Sequence, residues 1–175
     1  MKIFFGGAIQ GAENRPERAR AHRKIIDALK VRGCEVLSEH TTGEDVAGTS
    51  AYLEKSIGPL PDDRVHRAAV IRRQMIEMIE GEIDAAIFEV SVPSLGTGIE
   101  LAHAYLRPQL GFKAIPVIAL YQKNYWPNKL STMITGITAS DCPFFDIFVY
   151  PSPQESPSFV PAVIERIQQI KNELK

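Results

Sequence analysis

The stretch Asp84-Ala85-Ala86-Ile87-Phe88-Glu89-Val90-Ser91-Val92-Pro93-Ser94-Leu95-Gly96-Thr97-Gly98-Ile99-Glu100 decides the fold. Its first half is an apolar run bracketed by acids, the pattern of a strand buried on both faces of a parallel sheet. A loop follows at 91–98, and Ile99 to Leu106 reads as a helix that stops near Pro108. Strand, glycine-bearing loop and helix in that order belong to an α/β domain.

The same alternation extends in both directions. Upstream, Lys2 to Phe5 is a short strand ending at Gly6-Gly7. A helix follows over 16–32, with His22, Ile25, Ile26 and Leu29 inward and Gly33 placed as its C-terminal cap. Residues 34–37 form a second strand. A helix over 65–80 carries Ile71, Met75, Ile76 and Ile79 at helical spacing, with Ile83 just beyond. Downstream come a strand at 114–120, a short helix or turn at 130–137 and a strand at 144–150. An amphipathic helix at 160–174 closes the chain, with Val163, Ile164, Ile167 and Ile170 inward. The expected architecture is one flavodoxin- or Rossmann-like α/β domain spanning 1–175. Its five-stranded parallel sheet has order 2-1-3-4-5 and helices on both faces. Residues 41–63 are rich in Gly, Ser, Thr, Pro and acids and too long for a structureless connection, so they are read as a mobile segment or a lid.

Composition narrows the function. Of 175 residues, 45% are hydrophobic and 23% charged, ordinary for a globular protein. Lys and Arg total 20 against 21 Asp and Glu, a net charge of −1, which argues against coating a nucleic acid polymer or an anionic membrane. The apolar runs fall far short of the roughly 20 residues a membrane span needs. The chain opens directly on a strand, without the pattern of a signal peptide. Cys34 and Cys142 form no CxxC pair, so neither a disulfide framework nor a zinc site follows. A soluble cytoplasmic domain is expected.

Ligands of such sheets bind beyond the carboxyl ends of the strands, where the two glycine-bearing loops fall. The first, Gly6-Gly7-Ala8-Ile9-Gln10-Gly11, is not the dinucleotide fingerprint; it fits either a tight turn or close approach of a ligand to the backbone. In the second, Ser94, Gly96 and Gly98 precede a helix, where free N–H groups favour an anion. Glu100 stands one turn in. Thr97 and Glu100 also have the spacing of a capping box, so Glu100 reads either as a cap or as a carboxylate facing the cleft. Glu100-x-x-His103 is half of a di-metal pattern without its second copy, so no metal is expected and His103 reads as an ordinary helix residue. Ser94 lacks the elbow of a serine hydrolase. The run Arg15, Arg18, Arg20, Arg23, Lys24 reads as a solvated helix face, with Arg15 near enough to the first loop to meet a phosphate.

Four segments together resemble the nucleoside 2-deoxyribosyltransferase superfamily, and most closely its 2′-deoxynucleoside 5′-phosphate N-hydrolase branch. They are FFGGAIQG at 4–11, VLSEH at 36–40, DAAIFEVSVPSLGTGIELAHA at 84–104 and LSTMITG at 130–136. The resemblance implies that Glu100 attacks the anomeric carbon and that water then discharges the glycosyl-enzyme, without a cofactor. It implies a nucleotide site including Gly7, Gln10, Ser94, Gly96 and Gly98. Ser94 stands where the transferases carry an acid and the hydrolases a serine, and a hydroxyl accepts a phosphate that a carboxylate would repel. Ser131 matches a serine that reaches the phosphate across a homodimer interface. Four positions depart from the family: Phe4 replaces a tyrosine, Ile76 an assisting aspartate, and Ala8 and Gln10 a serine and an arginine. The implied activity is hydrolysis of the N-glycosidic bond of a (2′-deoxy)nucleoside 5′-monophosphate. The alternatives are a deoxyribosyltransferase and a nucleotide-binding module with impaired catalysis.

Overall fold

The computed structural model describes every residue except 10–13, 124–128 and 152–156. Its described strands are β1 (Lys2–Gly7), β2 (Glu35–Val36), β3 (Ala85–Glu89), β4 (Val117–Gln122) and β5 (Phe145–Tyr150). They form one parallel sheet in the order β2-β1-β3-β4-β5, the order expected from the sequence. All five residues of β3 are buried, because a central parallel strand is covered on both faces. Ile87, Ile118 and Leu120 are completely buried, each contributing about 1.5–3 kcal/mol relative to exposure.

The helices are α1 (Arg15–Val31), α2 (Val46–Ile57), α3 (Arg64–Glu80), α4 (Leu95–Tyr105), the single turn α5 (Thr132–Thr135) and α6 (Val160–Glu173). α3 packs on α4, and α1 touches α6. Gly33 follows α1 with φ +75°, the left-handed conformation a helix stop favours.

Three expectations are corrected. β2 is limited to two residues because Ser38 takes over the next pairing position: Phe5 N–H donates to Ser38 Oγ at 2.9 Å, and that hydroxyl donates to Phe5 O. The 41–63 segment, read as a mobile stretch or a lid, holds regular structure. It holds the end of a 3₁₀ turn (Glu39–Thr42) and then α2, which Asp45 caps by accepting from Gly48 N at 2.7 Å. Finally, α4 starts at Leu95 rather than near Ile99. Ser94, in extended conformation, is its N-cap and accepts from Thr97 N at 3.3 Å. Thr97 is thus the third residue of the helix and not its cap, so Thr97 and Glu100 do not form a capping box.

Candidate active site

Glu89, the last residue of β3, is completely buried and anchors the loop that carries Ser94. Its Oε1 accepts from Ser91 N at 3.2 Å, from Ser91 Oγ and from Tyr150 OH at 2.9 Å. Ser91 Oγ in turn accepts from Gln122 N at 2.7 Å, which ties the loop to β4. The other oxygen, Oε2, lies 3.6 Å from both Arg18 Nη1 and His22 Nε2, charge contacts rather than hydrogen bonds. Burial alone would raise the Glu89 carboxyl, but His22, Arg18 and Ser91 hold it below the usual carboxylate range. Gly7 permits this packing, since a Cβ there would fall 2.6 Å from His22 Cε1.

Above this layer opens a cleft of about 900 Å³ at the carboxyl end of the sheet. Gly7, Ser94, Gly96 and Glu100 all line it, so the two glycine-bearing loops meet as the strand order requires. Glu100 is half-buried, and among the described residues its carboxylate has no hydrogen-bond or ion-pair partner. Burial pushes its carboxyl up to about 7. Gly6 opens the space for it: a Cβ there would lie 2.5 Å from Phe88 Cδ1 and 3.1 Å from Glu100 Oε2. Two residues along the same face of β1, Phe4 is completely buried with its ring 5.8 Å from that of Phe88.

The far wall is built by α2 and α3. The α3 residues on it are Arg64, Arg67, Ala68, Ile71 and Met75, one helical face. Ile76 is not on this wall; its buried neighbour Met75 is. His40 also lines the cleft, and burial followed by the proximity of His22 lowers its imidazole to about 4. Glu100 is the only carboxylate on the cleft wall among the described residues.

A second cavity of about 420 Å³ adjoins the first across Ser94, Leu95 and Thr97. Gly98 and Ser131 face this one and not the Glu100 cleft. Ser131 caps α5, accepting from Met133 N at 3.3 Å. Gln10 lies outside the described residues. His103 faces Glu80 of α3 at 3.4 Å, as an ordinary helix residue does, and no metal-binding cluster occurs among the described residues. None of the described helices is long and apolar enough to cross a membrane.

The basic run on α1 is not merely a solvated face. Arg18 is buried against Glu89. Arg15 donates to Asp45 O at 2.7 Å and to Thr49 Oγ1 at 2.6 Å, Arg20 and Arg23 reach Glu44, and Arg23 donates to Thr42 O. These side chains fasten the segment that becomes the cleft wall. One signal was present in the sequence: Arg18 and His22 are four residues apart and share a face with the inward Ile25 and Leu29.

No family model matches the chain. Curated relatives do match, each bearing the name "Putative 2′-deoxynucleoside 5′-phosphate N-hydrolase 1". The relative from Thermofilum pendens is 34% identical over 138 residues, covering 79% of this chain and 79% of its own. The one from Nematostella vectensis is 35% identical over 136 residues, 77% of this chain and 76% of its own. The one from Methanosarcina mazei is 31% identical over 134 residues, 77% of this chain and 67% of its own. With that identity spread over most of both chains, and with the sheet order and the meeting of the two loops expected of such a sequence, this chain belongs to the 2′-deoxynucleoside 5′-phosphate N-hydrolase family.

Proposed function

We propose that the cleft hydrolyses the N-glycosidic bond of a 2′-deoxynucleoside 5′-monophosphate, with Glu100 as nucleophile. The observation that carries this reading is a half-buried carboxylate, without a partner among the described residues, set between the glycines of β1 and the N-terminus of α4. In the first step a Glu100 oxygen bonds to C1′ while the C1′–N bond breaks, its electron pair leaving with the base, which takes a proton from water. In the second step water adds to C1′ while its proton neutralises the hydroxide left by the first step, the ester bond to Glu100 breaks, and free 5-phosphodeoxyribose departs. In this reading the 5′-phosphate binds at Ser94 and Gly96, where the N-terminal dipole of α4 favours negative charge.

The active unit in this reading is a homodimer. Leu95 on α4 is 91% exposed and Met133 on α5 81% exposed, both lining the cavity that Ser131 faces. Large apolar side chains left this bare fit a second copy. The partner subunit's Ser131 would then complete the phosphate site at Ser94. A nucleotide-binding module without turnover is the second reading, favoured by the lack of any other carboxylate on the described cleft wall. Incubation with a panel of nucleoside 5′-monophosphates, with and without acceptor bases, separates the readings. Free base without an acceptor supports the hydrolase, exchange that needs an acceptor supports a transferase, and tight binding with no base release supports the module.

A further inference from the structure

The α3 wall of the cleft changes character along its length. α3 leads into the amino end of β3, so it runs antiparallel to the strands and its first turn lies at the level of the cleft mouth. Met75 is buried, Ile71 and Arg67 half-buried, and Arg64 exposed. At 1.5 Å per residue, Arg67 lies about 6 Å and Arg64 about 10 Å beyond Ile71 toward the mouth. The wall is therefore apolar at the floor and basic at the rim.

Among the described residues the rim charge has no carboxylate partner. Arg67 donates to Pro61 O at 2.8 Å and Asp62 O at 3.0 Å, and Arg15, also on the cleft, donates to carbonyls and a hydroxyl. Neither forms an ion pair among the described residues, and Arg64 has no polar partner there. Among the described residues, the acids on neighbouring segments have other partners. Asp45 caps α2, Asp63 caps α3 by accepting from His66 N at 2.7 Å, and Glu44 is held by Arg20 and Arg23. Asp62 is exposed and off the cleft wall. Three guanidinium groups thus face one cleft whose only carboxylate among the described residues is Glu100.

We infer that the substrate's leaving base carries an anionic substituent, such as a carboxylate, which the Arg64–Arg67 rim recognises. This rests on the reading of the Glu100 cleft as a nucleotide site, with the phosphate at Ser94 and the base against Ile71 and Met75. A ring lying on that apolar floor has its open edge toward the rim that carries Arg67 and Arg64. Guanidinium pairs well with carboxylate through its fork of donors and repels a cationic group. A neutral base gains nothing from the rim.

The test measures binding separately from turnover. Calorimetric affinities are taken for 2′-deoxycytidine 5′-monophosphate and its 5-carboxy and 5-aminomethyl derivatives, using Glu100→Gln so that no base is released. The expected order is carboxy tightest, unsubstituted next, aminomethyl weakest, with roughly tenfold between the extremes. Adding Arg64→Glu, at an exposed position, reverses the order. Equal affinities, or tighter binding of the aminomethyl derivative, overturn the inference. Base release by the wild-type protein is read in parallel. Its absence from all three nucleotides would count against the hydrolase reading, while the order of affinities still decides the rim.

Discussion

Two buried or half-buried glutamates titrate in opposite senses. Glu89 is held below its ordinary range, so its contribution to stability is complete at neutral pH and is lost as pH falls below the ordinary carboxylate value. Glu100 is raised from 4.5 to about 7, so the folded state holds its proton more tightly than the unfolded chain does. Its contribution is complete below 4.5 and is lost as pH rises toward about 7. Glu100→Gln removes that dependence. Melting curves taken across this window are expected to show the variant gaining on wild type as pH rises, and parallel curves would contradict the raised pKa. The same titration sets activity: kcat/KM for base release should rise with a midpoint near 7, as the nucleophile loses its proton. Gly6 is the companion case. A methyl group there would sit 2.5 Å from the Phe88 ring, so Gly6→Ala should cost about 1–3 kcal/mol in denaturant unfolding.

At the scale of elements, α4 shows how a single cap sets a site. Starting the helix at Ser94 places Glu100 at its sixth residue, clear of the capping turn and free to face the cleft. Ser94→Asp is an informative substitution because Asp is as good an N-cap as Ser. Stability should change by less than about 0.5 kcal/mol, while affinity for a 5′-monophosphate falls at least roughly tenfold from charge repulsion. Unchanged affinity by calorimetry would move the phosphate elsewhere. The register of this helix was hard to read from sequence because Ser94 and Thr97 are both good caps, and Gly96 and Gly98 argue against helix between them. Burial of Thr97, Leu101 and Ala104 overrides that preference. The strands, by contrast, were legible because continuous apolar runs have few other places to go. α2 was not, because its sequence has no strong apolar stripe; Leu53 is its one fully buried residue, and Arg15, Arg20 and Arg23 of α1 fasten the segment. The pairing of Arg18 and His22 with Glu89 joins residues about seventy positions apart, a distance that no local pattern spans.

For the whole molecule, the sheet order brings Gly7 and Glu100 to one cleft and leaves Ser131 facing another. In the proposed homodimer a second copy would cover the exposed Leu95 and Met133. Met133→Asp, at a position 81% exposed in one chain, should leave the fold intact and shift light scattering at micromolar concentration from dimer to monomer. Activity should fall with it if the partner's Ser131 holds the phosphate. A wild-type monomer under the same conditions would exclude that role. Whether Glu100 forms and discharges a bond to the sugar is decided by comparing base release from one 2′-deoxynucleoside 5′-monophosphate by wild type and by Glu100→Gln, both verified as folded. Wild type should release base and the variant should lose about 10³-fold or more of that rate, since a neutral amide cannot serve as the nucleophile; a Glu100→Gln protein that keeps most of the wild-type rate would end the assignment of Glu100 as nucleophile.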